Sequence, residues 1–146
     1  MKEQKEKVLK KLMNTYCRLR PSDIGGVGVF AIRNIPKDID PFNKDEVEWL
    51  EFNIDELKDL DEEVRKMIDD FFVIEENGGV LIPEYGLNGI DISFFVNNSS
   101  SPNLHTPDDG TSFKTLRPIN NGEELTVDYS VYDYKYRKNN SDLNGK

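Results

Sequence analysis

Apolar residues recur at helical spacing in two parts of this chain and at strand spacing in most of the rest. The first helical part falls within residues 1–15, where four apolar residues share one side of a helical projection. These four residues are Val8, Leu9, Leu12 and Met13. The pattern predicts a short amphipathic helix with one buried stripe of apolar residues. A membrane or nucleic-acid anchor is the alternative, and the small size of the apolar face argues against it.

The second helical part lies between about residues 44 and 72 and is strongly acidic. Its apolar residues, at three- and four-residue spacing, predict two amphipathic helices with acidic outer faces. They are Trp49, Phe52, Leu57 and Leu60 in the first helix, and Val64, Met67, Ile68 and Phe71 in the second. Residues 45–70 hold twelve Asp and Glu against three Lys and Arg, a balance of −9 that equals the net charge of the whole chain.

The remaining sequence breaks into short apolar runs bounded by turn residues, which is typical of short strands. The predicted strands are 16–20, 27–31, 80–82, 113–116 and 124–127. Together these patterns predict one mainly β domain over 16–136, interrupted by the helical insert and preceded by the short helix. The polar segment 137–146 is expected to be a flexible tail.

Composition narrows the possible functions of this chain. A net charge of −9 excludes broad binding to a phosphate backbone, which needs a positive surface. With only Cys17 and His105, the chain has neither an intramolecular disulfide nor a Cys/His zinc site. The polar start and the lack of a long apolar stretch predict a protein without a membrane span, located inside the cell in the cytoplasm or nucleus.

Glycines are concentrated in the segment Gly25-Gly26-Val27-Gly28, which leads into a predicted strand. Closely spaced glycines allow a backbone to approach a ligand without an intervening side chain. Taken alone, however, the segment is more typical of a glycine turn than of a dinucleotide-binding loop. No apolar strand precedes it, the third glycine of that motif is missing, and no βαβ unit follows.

Two later segments carry further polar and aromatic residues. Residues 94–103, FFVNNSSSPN, taken alone are typical of a loop rich in Asn and Ser. Residues 122–129, GEELTVDY, taken alone predict a hairpin turn into an edge strand. Glu123 and Glu124 point to opposite faces of such a strand, so they cannot act together as general acid and base.

The order and spacing of these three segments are more informative than any one of them. A Gly-x-Gly-x-Phe-Ala start, an Asn-x-Ser-x-x-Pro-Asn centre and a Gly-Glu-Glu-Leu-Thr-x-Asp-Tyr end resemble the SET-domain family of protein-lysine methyltransferases. The resemblance covers about residues 16–136, and the last motif is the most specific. The chain resembles the compact viral and bacterial members that lack flanking zinc modules.

This resemblance implies a mainly β fold of small curved sheets, the SET-domain β-clip, with the C-terminal end threaded through a loop as a pseudoknot. It places the acidic helical insert, at about 44–72, where the family has a variable insert that forms one wall of the peptide groove. It implies S-adenosylmethionine as the cofactor on one side and a narrow channel for the substrate lysine on the other. It requires no metal.

The resemblance also assigns roles to matching positions. Tyr129 would be the catalytic residue, with its hydroxyl at the methyl-transfer point. The cofactor-binding residues would be Gly26, Val27, Gly28, Asn97, Asn98 and Tyr129. The substrate channel would be lined by Phe95, Tyr132 and Tyr134, with Tyr136 as a further tyrosine able to wall the channel or cover the adenine.

These residue types suit methyl transfer to a lysine. Lysine has a pKa of about 10.4 in water and must lose its proton before it can attack. A dry aromatic channel disfavours the ammonium form, and the cofactor's sulfonium adds like-charge repulsion. The acidic insert would attract a basic protein such as a histone tail. An equally good interpretation is that its charged helix faces only keep the chain soluble.

Three positions depart from the family pattern. Asn98 and Ser100 stand where the central motif usually has His and Cys, and Asp38 stands where the family usually has glycine. The alternative is therefore a catalytically degenerate SET domain that binds basic peptides. The intact Asp128-Tyr129 pair argues against it, because a pure binder does not need the tyrosine hydroxyl. A homodimer is compatible with the sequence, which specifies no oligomeric state.

Overall fold

The computed structural model describes residues 1–108 and 110–137, which form three small sheets and two α-helices. The helices are α1 (Lys2–Met13) and α2 (Glu62–Phe71). The strands are β1 (Cys17–Pro21), β2 (Val27–Ala31), β3 (Trp49–Asn53), β4 (Gly79–Pro83), β5 (Asn97–Asn98), β6 (Leu104–His105), β7 (Lys114–Thr115) and β8 (Glu124–Val127). Short 3₁₀ turns occur at Ile54–Leu57, Gly86–Gly89, Ile92–Phe95 and Tyr129–Val131. This is the mainly β architecture with an insert that the sequence predicts.

The largest sheet has the strand order β1-β2-β8-β5. β1 and β2 form an antiparallel hairpin, β8 runs antiparallel to β2, and β5 runs parallel to β8. Val29 lies opposite Leu125, and Asn97 lies opposite Thr126. Because β8 lies between β2 and β5, the glycine-rich loop and the Asn/Ser segment reach it from opposite sides.

Alternating apolar residues of this sheet form the main core. Val29 and Ala31 of β2 are buried against Leu125 and Val127 of β8. Ile35 and Ile119 are also fully buried and pair with each other in an isolated bridge. Removing this apolar surface from water, at about 25 cal/mol per Å², is the main force that fixes the sheet beneath the functional segments. The sheet therefore provides a rigid support for them.

The insert packs as a second layer with its own small core. β3 and β4 pair antiparallel, and α2 covers them. Ile68 and Phe72 from the α2 region are buried against Val80 of β4. The ring of Phe94 lies 5.4 Å from that of Phe72, so the segment before β5 joins this second core to the main sheet.

Two helices were predicted for the insert, and the prediction of the first one is wrong. Residues Trp49–Asn53 form strand β3, and only the second predicted helix, α2, is present. β3 pairs along its whole length with β4, so its backbone groups are satisfied between strands and not within a helix. A capping box between Asn53 and Glu56 then starts the short turn that follows.

The buried stripe predicted for α1 is also wrong. The helix forms where expected, but its four apolar residues remain 53–66% exposed and none of its residues is buried. An ion pair between Lys11 and Asp45 and a 2.7 Å hydrogen bond from the Asn43 amide to the Asn14 carbonyl hold its C-terminal end. α1 is therefore attached by polar contacts and not by core packing.

The other boundaries agree with the predicted strands to within one or two residues. Asp38, where the family usually has glycine, has a φ of +65°. Glycine adopts this left-handed conformation without strain, and aspartate is among the residues that tolerate it. Among residues 1–108 and 110–137, no helix has the length and apolar character needed to cross a bilayer. Of the predicted tail 137–146, the structure describes only residue 137, and the rest lies outside the described residues.

Candidate active site

The three motif segments meet around β8. The loop before β2 lies on one side of β8, β5 lies on the other, and the 3₁₀ turn that begins at Tyr129 follows directly from its end. Asn103 fastens the central segment to β8 with two hydrogen bonds. Its amide donates to the Glu124 carbonyl, and its side-chain oxygen accepts from the Thr126 amide, both at 2.8 Å. The three motifs, which are separate in the sequence, thus form one site.

A polar cluster, here called the glycine-loop cluster, links these segments through the side chains of Ser22, Asn97 and Glu124 and the Val27 carbonyl. The Asn97 amide donates to Glu124 Oε2 at 2.8 Å and to the Val27 carbonyl at 3.3 Å. The Ser22 hydroxyl donates to the same carboxylate at 2.7 Å. The cluster presents several oxygen acceptors, so it suits a cationic group.

Glycine is required at position 28 by this cluster. A Cβ added to Gly28 would lie 2.3 Å from Glu124 Oε2 and 3.0 Å from Asn97 Nδ2. Gly25 and Gly26 are different, since an added Cβ would meet no atom within 4 Å. The first two glycines therefore face open space, while Gly28 allows close packing behind the loop.

The two adjacent glutamates point to opposite faces of β8, as the sequence predicts. Glu124 belongs to the glycine-loop cluster, whereas Glu123 forms a 2.9 Å ion pair with Arg117 and accepts from the Asn120 amide. The hydrogen bond from Arg117 holds the pKa of Glu123 below its usual range. Glu123 therefore has a structural role in the turn and does not contact the site.

Tyr129 connects the cluster side of the sheet to the insert side. Its hydroxyl donates to the Val96 carbonyl, and its backbone amide donates to the side-chain oxygen of Asn98 at 2.8 Å. The pKa of the Tyr129 phenol is raised to about 12, mainly by burial and to a smaller extent by the nearby Tyr136. The phenol is thus neutral, fixed in orientation and directed along β5.

Two further tyrosines surround this phenol. The ring of Tyr136 packs edge-on to Tyr129 with centroids 4.9 Å apart, and that of Tyr132 packs against it at 6.2 Å. Burial, then the nearby Tyr129, raises the pKa of Tyr132 well above its usual range. These two rings therefore cover part of the Tyr129 ring.

A cavity of about 370 Å³, here called the aromatic cavity, runs from Tyr129 to the insert. Its aromatic lining is Trp49, Phe71, Phe72, Phe94, Phe113, Tyr129, Tyr132 and Tyr136. Its acidic lining is Glu51, Asp69, Asp70, Glu75 and Asp133. Aromatic faces and carboxylates both attract cations, so the lining suits a basic side chain.

Asp133 is the buried acid of this lining. Its side chain accepts from the Lys135 amide at 3.0 Å. Burial raises the pKa of Asp133 above its usual range. The carboxylate would therefore be stabilised further if a cation entered the cavity beside it.

The structure brings together most of the sequence-predicted site residues. Asn97 and the Val27 carbonyl belong to the glycine-loop cluster, and Gly28 packs against it. Gly26 lies on the loop just before Val27, and Tyr129 and Tyr132 line the aromatic cavity. Asn98 is exposed and contacts the backbone of Tyr129.

Two predicted channel residues do not line the cavity. Phe95 lies behind it with its ring 5.6 Å from that of Phe71, and Tyr134 begins the last described helical turn. Phe94 and Tyr136 line the cavity instead.

Several functional candidates were missed by reasoning from the sequence. Glu124 and Ser22 complete the glycine-loop cluster, and Trp49 with Phe71 forms part of the cavity. The alternation of the GEEL segment could have indicated Glu124, because it puts that side chain on the face of β8 away from Glu123. No local signal indicates Trp49, whose position depends on the pairing of β3 with β4.

The lone cysteine and histidine take no part in this site. Cys17 is buried on β1, and burial, with a further effect of Asp40, raises the pKa of its thiol to about 12. A thiol of this kind is a poor nucleophile. His105 lies on β6 opposite Lys114.

The chain matches the model of the SET domain family over residues 26–130. This match spans the glycine-rich loop, the insert, β5, β8 and Tyr129, and the chain belongs to the SET domain family. The family and the fold class predicted from the sequence are thereby confirmed.

Two solved structures that are similar to this chain have low sequence identity to it. A candidate histone methyltransferase of Plasmodium falciparum is 16% identical, with a TM-score of 0.50 over 79% of this chain and 93% of its own. The methyltransferase domain of human PR domain-containing protein 2 is 21% identical, with a TM-score of 0.44 over 77% of this chain and 76% of its own. A search of curated proteins found no match.

Proposed function

We propose that this chain is a protein-lysine N-methyltransferase that uses S-adenosylmethionine and acts on a basic protein such as a histone. The observation that carries the proposal is the position of Tyr129. This partly buried residue follows β8, which carries Glu124 of the glycine-loop cluster, and it lines a cavity of aromatic and acidic side chains. This arrangement suits the joining of a cationic donor to an amine.

The residues on the glycine-loop side fit the proposed cofactor. Open space lies beside Gly25 and Gly26, and the Val27 carbonyl and the Glu124 carboxylate supply acceptors for an α-ammonium group. Asn97 would orient this end through its amide, and Gly26, Val27 and Gly28 would present backbone groups. When bound, S-adenosylmethionine would supply an activated methyl group on a sulfonium.

The residues on the cavity side fit an incoming lysine. The acids of the lining attract the charged form, and the rings of Tyr132 and Tyr136 pack against that of Tyr129. The acids favour the ammonium form on entry, whereas burial among the rings and the like charge of the sulfonium would lower the pKa of the lysine at the transfer point. The neutral amine is the nucleophile that methyl transfer needs.

Tyr129 and Val96 would orient this amine. The phenol already donates to the Val96 carbonyl, so both groups lie within hydrogen-bond reach of one point in the site. With a pKa of about 12, the phenol remains protonated at neutral pH and acts by orientation and not as a general base. Holding the reacting groups in line supplies much of the rate of such a displacement.

Incubation with labelled S-adenosylmethionine and a panel of basic proteins and peptides tests this proposal. Label should appear on lysine, and Tyr129→Phe should lower the rate about 10²-fold while peptide binding persists. Calorimetry with the cofactor alone gives a second readout. A chain that binds basic peptides but neither binds the cofactor nor transfers label would be the peptide-binding module that the departures at Asn98 and Ser100 raise.

A further inference from the structure

We propose that Asp69, the C-terminal carbonyls of α2 and Tyr136 form a second cation site at the mouth of the aromatic cavity. Lys135 occupies this site until a substrate displaces it. The ligand is the side chain of an arginine or lysine next to the target lysine. This inference rests on the proposed function. It adds to that function a site for substrate specificity, which a lysine of the same chain occupies when no substrate is bound.

The position of Lys135 is the first observation. Its ammonium lies 3.4 Å from the Asp69 carbonyl oxygen, 3.9 Å from the Asp69 carboxylate and 5.5 Å from the centre of the Tyr136 ring. A carbonyl, a carboxylate and an aromatic face therefore converge on one cation. All three residues line the aromatic cavity.

The end of α2 explains why this point attracts a cation. The last four carbonyls of a helix have no partner within it, and their dipoles give that end a partial negative charge. The last turn of α2 contains Asp69 and Asp70 and no basic residue. The last turn of α2 thus has no cation of its own, and Lys135, 66 positions away in the chain, supplies one.

The weakness of the Lys135 contact makes displacement feasible. The side chains of Lys135 and Asp69 are 45% and 63% exposed, and exposed pairs of this kind contribute little to stability. Lys44, the other lysine of the lining, differs because it pairs at 3.2 Å with Asp91 and donates to Ser93. Lys135 is therefore the lysine that a substrate side chain can replace.

Peptide binding in the absence of cofactor tests the site without depending on catalysis. Two short peptides carry one lysine flanked by either arginine or citrulline, which has the same shape but no charge. Trp49, the single tryptophan of the chain, lines the cavity and reports binding by its fluorescence. The measured quantity is the ratio of the two dissociation constants.

Lys135→Gln should increase the preference for the arginine peptide about two- to five-fold, because the site is then vacant. Asp69→Asn should reduce this preference toward one. Lys44→Gln removes the same charge from the same cavity and should change the ratio less than Lys135→Gln does, while Lys135→Arg should behave as the unmodified chain. In about 0.5 M salt these differences should shrink.

Equal ratios for Lys135→Gln and Lys44→Gln would overturn the proposal, as would an unchanged ratio in Asp69→Asn. Label transfer, measured in parallel, separates the two hypotheses. Transfer with unchanged ratios leaves the methyltransferase proposal intact and removes the second site. Shifted ratios without label transfer would support the second cation site and contradict the methyltransferase proposal.

Discussion

The packing around Gly28 predicts a specific effect of adding one methyl group. Gly28→Ala would place its Cβ 2.3 Å from Glu124 Oε2. The carboxylate would have to move, and its hydrogen bonds from Ser22 and Asn97 would be lost. We expect a loss of about 1–2 kcal/mol in the free energy of unfolding and weaker cofactor binding. Urea denaturation and calorimetry with S-adenosylmethionine measure the two effects.

The neighbouring glycine provides the control for this substitution. Gly25→Ala adds the same methyl group to the same loop, but no atom lies within 4 Å of the new Cβ. Gly25→Ala should therefore leave stability nearly unchanged. A double variant, Gly28→Ala with Glu124→Ala, should lose less than the sum of its parts because the clash is removed. Equal losses for Gly25→Ala and Gly28→Ala would contradict this view of the loop.

The ionisation of Tyr129 predicts the pH dependence of methyl transfer. Burial, followed by Tyr136, raises the pKa of the phenol to about 12, so the hydroxyl keeps its proton throughout the assay range. The substrate lysine loses its proton as the pH rises. The value of kcat/KM should therefore increase about tenfold per pH unit below the lysine pKa.

Tyr129→Phe separates orientation from base catalysis. If the phenol only orients the amine, the variant should have a lower rate at every pH and the same slope. A fall in the rate of the unmodified chain near about pH 10 that disappears in Tyr129→Phe would contradict a phenol held protonated by burial.

The roles of individual residues could be predicted from the sequence where a motif determines which segments lie beside them. Tyr129 and Asn97 were identified because the order of the three segments determines which strands they join. Glu124 was missed because its role depends on contacts with Ser22, 102 positions away in the chain. Asp38 shows the same limit, since its left-handed backbone is seen only in the structure.

The two helices differ in how much they depend on packing, although both have amphipathic sequences. Leu12 of α1 is 65% exposed, whereas Ile68 of α2 is buried against Phe72 and Val80. Leu12→Ala should change the free energy of unfolding by less than about 0.5 kcal/mol. Ile68→Ala should cost about 2–4 kcal/mol because it leaves a cavity in the second core.

Urea denaturation of the two variants tests this difference directly. A cost for Leu12→Ala that approaches that of Ile68→Ala would mean that α1 is packed in solution, against this chain or another copy. The α1 sequence alone predicted a buried stripe, because spacing shows which residues share a face but not whether that face meets a partner.

The β3 segment shows why the insert was only partly predictable. Trp49 and Phe52 have helical spacing, but the strand they belong to pairs with residues 79–83, more than two dozen positions away. α2 was predicted correctly because four of its residues repeat the spacing without a competing strand. Long-range pairing decides between helix and strand for a short apolar segment, and local spacing does not report it.

The acidic residues of the insert are close in sequence but lie on different surfaces of the molecule. The insert accounts for the net charge of −9, yet only some of its acids line the aromatic cavity. Glu51, Asp69 and Asp70 do, whereas Asp55 and Asp59 are exposed elsewhere. The sequence could therefore predict an acidic insert but could not separate a substrate-attracting role from solubility.

Two triple variants with the same change in charge distinguish these roles. One replaces the cavity acids (Glu51→Gln, Asp69→Asn, Asp70→Asn), and the other replaces acids outside the cavity (Asp55→Asn, Asp59→Asn, Glu76→Gln). The cavity set should weaken binding of an arginine-rich peptide about tenfold or more at low salt, while the outer set should weaken it about two-fold, because the outer acids act only through the screened long-range field. Tryptophan fluorescence titrations with the arginine-rich peptide and a neutral peptide measure both. Equal losses for the two sets would mean that attraction depends on net charge and not on the acids of the cavity, and no loss in either set would assign the acids of the insert to solubility.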